Sequence, residues 1–146
     1  MKVSTRGRYG LRVMIELAAQ YGNGPVLVDG IAKNQEISGK YIHVIVSGLK
    51  SAGLVRSVRG PNGGYELTRS PSRITALDVI SALEGKSAPA HCVLDASSCS
   101  RSGNCASRDV WCQVASVVDV VLSALTLEQL AKRQLSNHEE PTTYHI

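Results

Sequence analysis

Apolar residues recur every three or four positions through STRGRYGLRVMIELAAQYG. Tyr9, Val13, Leu17 and Gln20 fall on one side, with Leu11, Met14, Ile15 and Ala18 beside them. That period predicts a helix over residues 5–21, ended by Gly22, Gly24 and Pro25. VLVDGIAKNQEI predicts a short second helix over 28–34. Ser38 then stands as N-cap to GKYIHVIVSGLKSAG, where Ile42, Ile45, Val46 and Leu49 face inward and Gly53 closes the C-terminus.

The period changes in LVRSVRGPNGGYELT. Leu54, Val55 and Val58 read as one strand, Tyr65 and Leu67 as its return, and GPNGG between them as a tight turn. TALDVISALEG predicts a fourth helix capped by Thr75. Three helices followed by a hairpin describe a mainly α protein, a winged helix-turn-helix. A cysteine-rich loop comes next. Ser107 or Asp109 is the expected cap of the longest apolar run, VWCQVASVVDVVLSAL. Thr126 and Gln129 form a T-x-x-Q box that starts a last short helix, LEQLAKR.

The long run is apolar on two sides. Val110, Val114, Val117 and Val121 make one stripe, and Trp111, Val118, Leu122 and Leu125 make another. One stripe packs on its own chain. The other needs a second surface, most simply the same helix of a second copy. A helix buried in one large core is the alternative, and a chain of this length has little material to bury it. The expected organisation is therefore a DNA-binding domain over 1–85, a cysteine-rich loop over 86–106, a long C-terminal dimerisation helix region over 107–133 and a disordered tail over 134–146.

Composition sharpens this reading at three points. Phenylalanine is absent, so the core is built from Val, Leu, Ile and Ala. No stretch resembles a signal peptide or a membrane span, which points to a cytoplasmic protein without a membrane partner. Charge is uneven: residues 1–69 hold ten Lys/Arg against four Asp/Glu, and 70–146 hold six against eight. A basic first half suits a nucleic-acid surface.

All four cysteines lie between Cys92 and Cys112, with gaps of six, five and six residues. In a reducing compartment such a cluster suits metal ligation or thiol chemistry better than structural disulfides. Three thiolates on one loop suit an iron–sulfur cluster. Zinc, which favours close cysteine pairs, and a thiol switch remain open alternatives. No catalytic constellation appears: His91, His138 and His145 have no acid–base companion, so an enzyme or electron carrier is disfavoured.

STRGRYGLR, IAKNQEISGKYI, LKSAGLVRSVRGPNGGYELTRSP and ITALDVISALEG resemble the IscR/NsrR/CymR superfamily of bacterial winged-helix regulators, over about residues 1–133. The resemblance implies a homodimer that binds a double-stranded DNA operator and, in many members, senses through an iron–sulfur cluster (2Fe–2S or 4Fe–4S). It implies Cys92, Cys99 and Cys105 as ligands. Where some relatives place a fourth ligand, this chain has Arg108 or Arg8, and arginine does not ligate metal. Cys112, Asp109, His91 or an exogenous ligand remain as candidates for that position. A metal-free regulator of the same fold, answering to a small molecule, a protein partner or thiol oxidation, is the alternative.

For DNA, Ser38, Lys40, Tyr41 and His43 lie at the end of the third helix that enters a major groove. Ser38 and Tyr41 suit phosphates. His43 stands where cluster-biogenesis relatives usually carry glutamate, so base preference is expected to differ. Arg59 precedes the wing turn and suits a narrow minor groove. Arg56, Thr5, Arg6 and Arg8 are the expected phosphate contacts from the strand and first helix.

Overall fold

A computed structural model describes residues 2–139. Helix α1 (Thr5–Ala19) is capped by Ser4, whose side chain accepts from Gly7 N–H. Helices α2 (Val28–Gln35) and α3 (Gly39–Ser51) follow, with Ser38 capping α3 as expected. Gly53 takes φ 73° one residue beyond the C-cap Ala52, the position where a left-handed residue closes a helix. Strands β1 (Val55–Val58) and β2 (Gly64–Leu67) form the antiparallel wing, pairing Val55 with Leu67 and Ser57 with Tyr65.

The turn between the strands requires its glycines for space. A Cβ on Gly63 would fall 2.2 Å from Val58 O, and one on Gly64 2.2 Å from Val26 O. The second approach exists because Val26 and Tyr65 exchange backbone hydrogen bonds, which ties the root of the wing to the segment before α2. The turn from α2 into α3 instead uses Glu36 at φ 53°, a left-handed position that no glycine announced.

Helix α4 (Ala76–Glu84) starts with a reciprocal capping box: Thr75 Oγ1 accepts from Asp78 N–H, and Asp78 Oδ2 accepts from Thr75 N–H. Helix α1 lies so close to α4 that a Cβ on Gly10 would fall 2.0 Å from Leu83 Cδ1. The core is aliphatic. Val13, Met14, Ile31, Ile42, Ile45, Val46, Leu49, Ile74 and Val79 are fully enclosed, and α3 contributes its inward face as expected.

Beyond α4 the chain departs from expectation in three ways. The cysteine stretch is not a plain loop. It holds a one-turn helix, α5 (His91–Leu94), and two 3-10 turns, Ala96–Ser98 and Ser102–Asn104. Helix α6 (Ala106–Ala124) begins earlier than Ser107 or Asp109 would cap it. Its N-cap is Cys105, which makes no side-chain capping bond. The last helix, α7 (Leu127–Glu139), is longer than LEQLAKR and takes in residues 134–139 of the expected disordered tail. Residues 140–146 of that expected tail lie outside the described residues.

Helix α7 packs back onto the body. Ala76 N–H donates to Leu125 O at 2.8 Å and Leu127 N–H to Ile74 O at 2.9 Å. The T-x-x-Q box forms as expected: Thr126 N–H donates to Gln129 Oε1, and Gln129 N–H to Thr126 Oγ1. Leu127 and Ala131, one turn apart, then enter the core beside α1. Helix α6 lies against α4 and α5 but has no fully buried residue along its length.

Candidate nucleic-acid interface

Ser38, Lys40, Tyr41 and His43 come together on the first turns of α3, the free end of the helix-turn-helix. Ser38 Oγ accepts from Tyr41 N–H at 3.2 Å. The Tyr41 ring meets Tyr9 of α1 edge-on, centroids 6.0 Å apart, and Arg12 lies over that Tyr9 ring. These contacts hold the Tyr41 ring against α1. Ser38, Lys40 and His43 are exposed, and Ile42, Ile45 and Val46 on the other side are enclosed. The helix thus buries an apolar face and offers a polar one, as a groove-reading helix must.

The wing completes the surface. A concavity of about 430 Å³ lies between the start of α2, His43 of α3 and the hairpin, and its lining includes Asp29, Ser57, Arg59 and Tyr65. His43 and Arg59, from opposite ends of the motif, therefore border one space. His43 Nδ1 is 3.1 Å from the Tyr65 hydroxyl, a contact that composition and spacing did not signal.

The remaining basic candidates are dispersed. Successive strand residues face opposite ways, so Arg56 points away from Ser57, pairs with Glu66 at 2.7 Å and lies on the Tyr21 side of the hairpin. Thr5 is exposed at the start of α1. Arg6 is half-buried against Gly48 of α3, and its Nε is enclosed without a partner among the described residues. Arg8 donates to Thr5 Oγ1 at 3.2 Å and lines a groove of about 690 Å³ with Leu11, Ile80, Val93 and Val118, on the α6 side of the molecule.

The cysteines lie on that same α6 side of the chain. Cys92 is in α5, Cys99 follows the first 3-10 turn, Cys105 caps α6 and Cys112 lies within it. All four are free thiols; Cys99 is exposed and the others are partly covered. Among the described residues no three His, Cys, Asp or Glu side chains gather closely enough to hold a metal ion. Arg108 Nε donates to Cys92 O at 2.9 Å, tying the first cysteine to the first turn of α6. His91 begins α5, and Asp109 lies in the first turn of α6. Hydrogen bonds from the Ser97 hydroxyl and N–H hold the Asp95 carboxyl below its usual range, against a small burial effect and with help from His91. That local stabilisation is present above the ordinary carboxylate range and lost as pH falls through the lowered value.

A helix-turn-helix whose recognition helix and wing share one concavity defines a winged-helix DNA-binding protein. The chain belongs to the Rrf2 family, described as iron-dependent transcriptional regulators, whose profile matches residues 3–133. It is similar to the HTH-type transcriptional regulator CymR of Bacillus subtilis (strain 168), 44% identical over 131 residues, 90% of this chain and 90% of the relative. The solved structure of CymR, the global cysteine regulator of B. subtilis, matches with TM-score 0.78 at 42% identity, over 91% of this chain and 98% of its own. T. potens IscR matches with TM-score 0.77 at 34% identity, over 99% of this chain and 95% of its own. The protein is thus a transcriptional regulator and not an enzyme. Among the described residues no helix is long and apolar enough to cross a membrane.

Proposed function

We propose that the chain acts in the cytoplasm as a homodimer that binds a double-stranded operator through α3 and the wing. In this reading the cysteine segment sets its affinity by holding an iron–sulfur cluster on Cys92, Cys99 and Cys105. The concavity bordered by His43 and Arg59 is the observation that carries the DNA-binding part. It offers one reader for a major-groove edge and one cation for the adjoining minor groove.

The cluster reading rests on donor chemistry. Three soft, unpaired thiols lie within fourteen residues, which suits iron–sulfur ligation, and the family is described as iron-dependent. The thiols are not gathered beforehand, so the segment must close to use them. When bound, the group would supply a redox-reactive, exchangeable iron centre. The chain supplies the linkage. Cys105 begins α6, and Arg108 joins that helix to Cys92. Closing the segment therefore biases where α6 starts and how two copies sit on two half-sites, a population shift between arrangements.

A metal-free regulator is the second reading. Arg108 stands where some two-iron relatives carry a histidine ligand, and here it hydrogen-bonds to the segment instead. The similar CymR is described as a global cysteine regulator, so a small thiol metabolite, a protein partner or thiol oxidation would then be the signal.

Titrating duplex DNA at several salt concentrations tests the shared part. Affinity is expected to fall linearly in log–log form as salt rises. Arg59→Ala is expected to weaken binding about tenfold at fixed salt, with the fold unchanged. Salt-independent binding, or an Arg59→Ala variant that binds as tightly as the parent, contradicts the assignment.

A further inference from the structure

A neutral histidine can offer a base edge either a donor or an acceptor, depending on which ring nitrogen carries the proton. In this fold the wing stands against one of those two nitrogens. Tyr65 Oη lies 3.1 Å from His43 Nδ1, with the rings edge-on, centroids 6.1 Å apart and planes at 73°. Tyr65 is the fixed member of the pair. Its N–H donates to Val26 O at 2.9 Å and its C=O accepts from Val26 N–H at 2.8 Å. Its ring packs against the core. The absent Cβ of Gly64 is what lets that backbone approach so closely. His43 is exposed.

A phenol is a better donor than acceptor, and an unprotonated imidazole nitrogen is a better acceptor than a phenol oxygen. The stronger arrangement of this pair is the one in which Tyr65 O–H donates to Nδ1, and it leaves the proton of the neutral ring on Nε2. We propose that Tyr65 is a specificity-positioning residue, which fixes His43 as the Nε2–H tautomer so that the recognition helix presents a donor to DNA. The proposal rests on α3 and the wing being the DNA-binding surface. A donor there favours the acceptors of a major-groove edge, the N7 and O6 of guanine, N7 of adenine or O4 of thymine, and disfavours the N4 amino group of cytosine.

Two measurements on the full chain test this. Protein labelled with nitrogen-15 histidine, free of DNA at about pH 8, above the ordinary imidazole range, reports the tautomer through its ring nitrogen shifts, with His43→Gln identifying the signal. Nδ1 is expected to be unprotonated in the parent, and Tyr65→Phe to move both shifts toward those of a free imidazole. A parent ring protonated at Nδ1 overturns the proposal. So does a Tyr65→Phe variant with unchanged shifts.

The second measurement is selection from randomised duplexes. His43→Ala is expected to erase preference at one operator position. Tyr65→Phe should weaken preference at that same position about fivefold, leave the salt dependence unchanged, and add nothing when combined with His43→Ala. Intact preference in Tyr65→Phe, or no positional effect of His43→Ala, overturns the proposal while DNA binding stands. A parent chain that binds no duplex defeats the DNA-binding reading itself, and the proposal with it.

Discussion

Val117→Lys is expected to convert a dimer in solution into a monomer that keeps its fold. Along α6, Val110, Val114, Val117 and Val121 are 52%, 39%, 62% and 54% exposed, and Trp111 and Val120 lie open beside them. Covering a half-exposed valine contributes about 1 kcal/mol. A twofold interface uses each position twice, so this face supplies on the order of 8 kcal/mol before the costs of association. A lysine in the middle of the seam enters it twice and must lose water without a partner. The dissociation constant should rise at least about a hundredfold. Since α6 contributes no buried residue, circular dichroism and the melting temperature of the monomer should hardly change. Truncation before Ser107 is the poorer experiment, because it also removes Leu127 and Ala131 from the core. Light scattering decides. A Val117→Lys chain that stays dimeric places the interface elsewhere.

Cys92→Ala, Cys99→Ala and Cys105→Ala are each expected to abolish iron and sulfide retention in protein purified without oxygen, whereas Cys112→Ala should retain most of it. Cys92 lies in the one-turn α5, and Cys99 and Cys105 directly follow the two 3-10 turns. Cys112 lies seven residues beyond Cys105 on the same helix, about 10 Å of rise away. It is partly covered on the inner side of α6, a setting that suits a small apolar residue. An exchangeable fourth position would give oxidants access to the iron, and a fourth thiolate would shelter it. If Cys112→Ala loses iron as completely as Cys99→Ala, Cys112 is the fourth ligand and the exchangeable-position argument fails. If the parent holds no iron at all, the metal-free reading replaces the cluster.

The winged helix was legible because several local signals agreed. Ser38 and Thr75 cap, Ile42, Ile45 and Val46 keep helical period, and GPNGG interrupts two alternating runs. What escaped depended on long-range contact. Nothing in LEQLAKR distinguishes a helix that returns to the body from one that extends away, because Leu127 and Ala131 carry the same apolar signal in either case. Arg6 reads as an exposed cation from sequence, and its half-burial against Gly48, 42 residues away, had no local signal. Arg56 is exposed as read, but its ion pair with Glu66, ten residues away, was not signalled. The start of α6 was missed for the opposite reason: the helix begins at Ala106 without a side-chain cap, so Ser107 and Asp109 were misleading. The His43–Tyr65 pair joins two elements 22 residues apart and had no local signature.

Control of operator affinity by the cysteine segment is tested most directly by one paired titration. A duplex selected by the protein is titrated, at fixed salt and without oxygen, with the iron-loaded chain and with the same chain stripped of iron, alongside a Cys92→Ala/Cys99→Ala/Cys105→Ala variant. The account predicts at least about a tenfold difference in affinity between the loaded and stripped parent, a coupling of about 1.4 kcal/mol, and no difference for the variant treated in the same two ways. Equal affinity of the loaded and stripped parent would contradict it.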